Sequence, residues 1–168
     1  ITEVESLNSA DSISKLQELN ADLGLVFGTG RLNPNVIACF KDGLFNVHRG
    51  IAEEYRGLDS DLWAIYHNDY SNIGVTIHMV EPRLDTGHIV RQKSMTLRPN
   101  MEIHQIRYYT TLLATQLIDE GLQDYCSDKL QTTPQKQLGR YYSFMPLDLK
   151  KLALKKFNKH CSRLGNIN

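Results

Sequence analysis

Two stretches, Leu44-Phe45-Asn46-Val47-His48 and Ile73-Gly74-Val75-Thr76-Ile77-His78-Met79-Val80, decide how this chain folds. In the second, Ile73, Val75, Ile77 and Met79 alternate with Gly74, Thr76, His78 and Val80, the period of two that a strand imposes. Ile89 to Leu97 is expected to pair with it across the turn Glu81-Pro82-Arg83-Leu84-Asp85-Thr86-Gly87. Working outward, Leu23-Gly24-Leu25-Val26-Phe27 reads as a short buried strand, bounded by Gly28, Gly30 and Pro34. Helices are expected in the intervals. Ser9 or Asp11 can cap one running to about Asn20, with Ile13, Leu16 and Leu19 on one side. Others are expected over Asn35 to Phe40, Asp61 to Asp69, Met101 to Tyr125 and Leu147 to Leu164. Strands alternating with helices predict an α/β domain, doubly wound about a mostly parallel sheet, with its site at the carboxyl ends of the strands.

Composition narrows the function. Among 168 residues, Lys plus Arg is 19 and Asp plus Glu is 19, a net charge of zero. A general nucleic-acid binder needs many uncompensated cations, so that class is disfavoured. No apolar run approaches the ~20 residues of a bilayer span, so no membrane partner is expected. Cys39, Cys126 and Cys161 are too few and too scattered for a disulfide framework or a metal knuckle. They read as reduced thiols of a cytoplasmic protein. The opening Ile1-Thr2-Glu3-Val4 resembles the end of a strand already under way, so further chain is expected before it. The oligomeric state is not legible.

Asn46 and His48 lie two apart on a predicted strand, so their side chains leave the same face. Burying an amide and an imidazole without partners is costly, so a third polar group is expected beside them. Asp85, in the turn after the strongest strand, is the natural candidate. Amide, imidazole and carboxylate at strand ends form a set that can move protons and stabilise an oxyanion. Two other chemistries stay open on weaker signals. His48, His67, His78 and His88 invite a metal, but none pair at ligand spacing, and no metal site is expected. No Ser or Cys sits in a nucleophile-elbow context. In the tail, Lys150, Lys151, Lys155, Lys156, Lys159 and Arg163 form a basic helix face, solvated above Leu149, Leu152 and Phe157 or else a contact for RNA or a phosphorylated partner. Tyr141 and Tyr142 either stack on a base or cover a core edge.

Four elements in order carry a resemblance: Asn46-Val47-His48, Tyr55-Arg56-Gly57, Ile73-Gly74-Val75-Thr76-Ile77-His78, and Leu84-Asp85-Thr86-Gly87-His88-Ile89-Val90-Arg91-Gln92. The stretch from about Asp22 to Tyr125 resembles the folate-dependent formyltransferases, which include enzymes acting on glycinamide ribonucleotide, methionyl-tRNA and nucleotide sugars, and the related formyltetrahydrofolate hydrolases. The resemblance implies a Rossmann-like formyltransferase fold lacking its N-terminal strands. It implies a catalytic unit over residues 1–130, followed by an extension with a basic helix over 131–168. It also implies transfer of formyl from N10-formyltetrahydrofolate to a small primary amine, such as an amino sugar on a nucleotide, by Asn46, His48 and Asp85. Asn46 and His48 would stabilise the oxyanion, and Asp85 would orient His48 and enrich its charged form. Hydrolysis of the same folate and folate binding without turnover are the alternatives.

By the same resemblance, the loop holding Thr29, Gly30, Arg31, Leu32 and Asn33 would hold the pterin through its backbone, with Val80, Glu81 and Leu84 on the other side. Thr76 and His78 would lie under the site. Two departures bear on the acceptor. Relatives carry a Pro-Ser-Leu-Leu-Pro-like run after the histidine, facing the acceptor, where this chain has Arg49-Gly50-Ile51-Ala52-Glu53-Glu54. The methionyl-tRNA branch also carries a C-terminal barrel for which these residues leave no room. Transfer RNA stays open as an acceptor, although disfavoured.

Overall fold

The Ser9 side chain accepts the Ser12 backbone N–H at 3.2 Å and starts α1 (Ala10–Leu19). Asn20, left-handed at φ 45°, ends it. The chain then runs through β1 (Leu23–Phe27), α2 (Pro34–Ile37), β2 (Gly43–His48), β3 (Tyr55–Gly57), α3 (Ser60–Tyr66), β4 (Gly74–Met79), β5 (Ile89–Ser94), α4 (Ile103–Cys126), β6 (Arg140–Tyr142) and α5 (Leu147–Leu164). The computed structural model describes residues 1–165. Ile1–Val4 form no strand, contrary to the expectation for the opening residues. Among the described residues, no helix is long and apolar enough to cross a membrane.

The fold is α/β, and its main sheet is mixed in direction. Strand order is β1-β2-β4-β5: β1 runs parallel to β2, while β2–β4 and β4–β5 are antiparallel. Among these strands the sheet is therefore not mostly parallel; the turn Glu81–Gly87 is short enough to return the chain antiparallel, whereas β1 to β2 crosses over through α2. Both faces of β4 are covered. Val75 and Ile77 pack with Phe45 and Val47 against Ala114 and Leu117 of α4. The Val, Ile, Phe and Leu side chains of this set contribute about 1.5–3 kcal/mol each when fully buried. The opposite face carries polar groups that are satisfied: the buried Thr76 hydroxyl donates to the Gly50 carbonyl at 2.7 Å and accepts the Ala52 N–H at 3.1 Å.

A second, two-stranded parallel ribbon pairs β3 with β6. Neither strand was legible, because three residues are too few to show a period and the partner lies more than eighty positions away. Tyr142 stacks on Tyr55 and Trp63, with centroids 5.7 and 4.7 Å away, and so covers a core edge, whereas Tyr141 is half exposed. Below the ribbon, α5 buries Ala153, Phe157 and Cys161, four residues apart, in one cluster with Tyr55, Ile65, Ile73, Met101 and Ile106. Its Lys151, Lys155 and Lys159 face solvent. Leu149 packs below as expected, but Leu152 is exposed, being off the Ala153–Phe157–Cys161 stripe.

Candidate active site

The register that pairs Asn46 with His78, and His48 with Thr76, stacks the polar side chains of β2 and β4 on one face of the sheet. Asp85 enters from the turn beyond β4. The turn is held from three sides. Gln135 Nε2 donates to the Asp85 and Gly87 carbonyls, both at 3.0 Å. The buried Arg56 donates from Nη1 to the Leu84 carbonyl at 3.1 Å and from Nε to the Gly139 carbonyl at 2.6 Å. Gly87 lies so close to β4 that a Cβ there would sit 1.9 Å from the Met79 carbonyl oxygen. Asp85 itself is left-handed, at φ 53°.

Asn46, His48 and Asp85 are thereby brought together, with His78 as a fourth member. Asp85 Oδ2 accepts the Gly57 N–H at 2.8 Å and lies 3.6 Å from His48 Nδ1. Asn46 Nδ2 lies 3.4 Å from Asp85 Oδ1 and 3.0 Å from His78 Nε2. Two backbone carbonyls set the imidazole tautomers, because a carbonyl can only accept. Tyr55 O lies 2.7 Å from His48 Nε2, so that nitrogen carries hydrogen and Nδ1 is turned toward Asp85. Met79 O lies 2.8 Å from His78 Nδ1, and His78 Nε2 lies 3.0 Å from Asn46 Nδ2 and 3.4 Å from Asp85 Oδ1. Asn46 Nδ2 thus has two partners within reach, the contact with Asp85 being the long one.

Burial pushes His48 below its ordinary value of 6.5, and this outweighs the upward pull of Asp85 and of the Tyr55 carbonyl. Asp85 thus favours the charged form of His48 as expected, but burial outweighs it, and the imidazole is mainly neutral near pH 7. For Asp85, burial pushes upward, but His78, the charge of His48 and the Gly57 N–H overcome it and hold the carboxyl at about 2. The site pairs a carboxylate with a neutral imidazole.

These groups open into a cleft of about 930 Å³. Thr29, Gly30, Arg31 and Leu32 line one wall, and Val80, Glu81 and Leu84 face them. Arg31 Nε donates to the Pro82 carbonyl at 3.0 Å and ties the two walls together. Asn33 is not on the cleft: its N–H donates to Asn8 Oδ1 at 2.7 Å, at the start of α2. Of the run Arg49 to Glu54, only Arg49 lines the cleft. Glu53 is turned away, accepting the Lys136 N–H at 2.7 Å and Gln92 Nε2 at 3.0 Å. The positioning roles of Arg56 and Gln135 were missed. Arg56 stood in a quoted motif, while nothing local marks Gln135. Among the described residues, no group of three His, Cys, Asp or Glu side chains could hold a metal.

The formyl transferase family model matches residues 2–118, and the chain belongs to that family. A methionyl-tRNA formyltransferase from Prochlorococcus marinus is 29% identical over 166 residues, covering 94% of this chain and 49% of the relative. The chain spans about half the length of the curated relatives it matches. The formyltransferase PseJ from Anoxybacillus kamchatkensis, solved with UDP-4,6-dideoxy-4-formamido-L-AltNAc and tetrahydrofolate, superposes with a TM-score of 0.67 at 26% identity, over 81% of this chain and 70% of that one. HypX from Aquifex aeolicus, solved with tetrahydrofolic acid, shares the fold with a TM-score of 0.67 at 20% identity, over 84% of this chain and 25% of its own.

Proposed function

We propose that this protein transfers the formyl group of N10-formyltetrahydrofolate to a primary amine, with Asn46, His48 and Asp85 as the catalytic residues. The observation that carries it is an ionised carboxylate beside a neutral, tautomer-fixed imidazole and an amide, at the floor of a cleft large enough for a folate. The solved relatives that bind tetrahydrofolate and a formamido nucleotide sugar support the donor and the class of acceptor.

The pterin would lie between the wall at Thr29, Gly30, Arg31 and Leu32 and the wall at Val80, Glu81 and Leu84. The amine nitrogen attacks the formyl carbon, and the carbonyl oxygen becomes an oxyanion. Asn46 exchanges its 3.4 Å contact with Asp85, at the outer limit of a hydrogen bond, for the oxyanion, a stronger charge-assisted partner. Losing one such donor typically costs about 10²–10³ in rate. His48 accepts the amine proton at Nδ1, where Asp85 stabilises the resulting imidazolium, and returns it to N10 as the C–N10 bond breaks. The products are a formamide and tetrahydrofolate, with no net proton change.

The test follows tetrahydrofolate release from N10-formyltetrahydrofolate, first alone and then with candidate amines. Amine-dependent release is the expected result. Release at the same rate without amine would make the protein a hydrolase, and tight folate binding without release would make it a binding protein.

A further inference from the structure

Behind the cleft, one carboxylate ties together the segments that carry His48 and Asp85. Glu53 follows His48 in the loop before β3 and does not line the cleft. Its two oxygens take two different donors: Oε1 accepts the Lys136 N–H at 2.7 Å, and Oε2 accepts from Gln92 Nε2 at 3.0 Å. The first bond leads to Asp85. Lys136 follows Gln135, whose amide holds the Asp85 and Gly87 carbonyls. The backbone on either side of this pair is fixed: Thr133 exchanges hydrogen bonds with Ile89 at 2.7 and 2.9 Å, and a Cβ on Gly139 would stand 2.3 Å from the Ala52 carbonyl oxygen. The second bond leads to His48. Gln92 Oε1 lies 2.8 Å from the Thr76 hydroxyl, which shares its one hydrogen between that amide and the Gly50 carbonyl and accepts the Ala52 N–H. Thr76 is also the register partner of His48.

A side chain with one acceptor committed to each of two segments fixes their relative position. We propose that Glu53 is a positioning residue for the transfer: it sets the separation of His48 and Asp85 by joining the segment that holds the Asp85 turn to the Thr76–Gln92 pair beside His48. The claim on catalysis rests on the formyl-transfer reading; the claim on geometry does not. The position requires a carboxylate, because both of its neighbours donate. An amide of the same size has one oxygen and turns its NH2, a donor, toward one of them. Counted from His48, Glu53 takes the place of the second proline in the run that the resembled family carries, a residue with no side-chain acceptor. The departure in this loop therefore acts on the site from behind.

The test compares the unaltered chain, Glu53→Gln, and an exchange that combines Glu53→Gln with Gln92→Glu. The exchange turns the pair around, so that position 53 donates to position 92 and still accepts the Lys136 N–H, while position 92 keeps an oxygen for Thr76. In each, kcat and affinity for 5-formyltetrahydrofolate are measured, and the His48 titration is followed by NMR of the imidazoles. Glu53→Gln is expected to lower kcat by about tenfold or more, as small misplacements of reacting groups do, with folate affinity within about threefold. Burial lowers the His48 value, Asp85 and the Tyr55 carbonyl raise it, and His78 and Arg56 lower it further. With Asp85 drawn away, the His48 midpoint is expected to move to lower pH. The exchange is expected to return the midpoint and to bring kcat within about threefold of the unaltered chain. Glu53→Asp, one methylene too short to reach both donors, replaces Glu53→Gln if that variant folds poorly. An unmoved midpoint, or a lower melting temperature with kcat unchanged, overturns the positioning role, as does an exchange that restores nothing. If the unaltered chain transfers no formyl group while the midpoint shifts and returns as expected, the geometric claim stands and the transfer reading falls.

Discussion

At the residue scale, the proposed transfer would divide its labour as burial dictates. His48 is too buried to hold a proton comfortably, and its Nε2 is committed to the Tyr55 carbonyl, so only Nδ1 is free for chemistry. Replacement by Ala is expected to lower kcat by about 10² or more, leaving folate affinity within a few fold, since a proton acceptor acts in the transition state. Steady-state rates beside a folate titration check this, and a variant of near-normal rate would remove His48 from the mechanism. The sign of the pH dependence follows from the same burial. Protonation at Nδ1 abolishes the base, so kcat falls as pH falls through a His48 value below 6.5. Asp85 pulls that value upward. Asp85→Asn is therefore expected to slow the reaction and move the acid limb to lower pH, whereas a limb moving to higher pH would contradict the assignment.

At the element scale, the carboxylate is placed by backbone from another part of the chain. Gly57, at φ 89°, donates its N–H to Asp85 while pairing with Tyr142 across β3 and β6. A Cβ at this position would stand 2.1 Å from the Tyr142 carbonyl oxygen, and the left-handed backbone adds strain. Gly57→Ala is expected to cost about 1–3 kcal/mol and to lower kcat more than it weakens folate binding. Thermal melting and the kcat against Kd comparison check it, and an unaltered melting temperature would mean the ribbon yields freely.

The same ribbon marks where sequence reading stops. β2 and β4 were legible because alternation over five or more residues is strong evidence for a half-buried or buried strand, and β5 followed as the partner expected across the turn after β4. The meeting of Asn46, His48 and Asp85 was legible because an unsatisfied polar pair on a core strand demands a partner. What supports Asp85 was not, since Arg56, Gly57 and Gln135 act through backbone groups set by long-range pairing. The net charge state of His48 was not legible for a related reason. A nearby carboxylate can be inferred from sequence, but the depth of burial that outweighs it cannot.

At the scale of the whole molecule, the C-terminal helix and the site share one core. Phe157 is fully buried with Tyr55, whose carbonyl fixes the His48 tautomer and whose ring opens β3. A hole at Phe157 therefore loosens the layer on which His48, Gly57 and indirectly Asp85 depend. Phe157→Ala is expected to cost about 3–5 kcal/mol, from lost transfer energy together with the unfilled cavity. For a chain of this size each kcal/mol lowers the melting temperature by about 2–4 °C, so a drop of roughly 6–20 °C should appear in a thermal scan. Well below that transition the cavity is remote from the reacting atoms, and kcat should fall far less than in His48→Ala. If α5 were instead an independent appendage, the same substitution would leave the melting of the sheet untouched, and near-ultraviolet and far-ultraviolet circular dichroism would report two separate transitions rather than one shifted one.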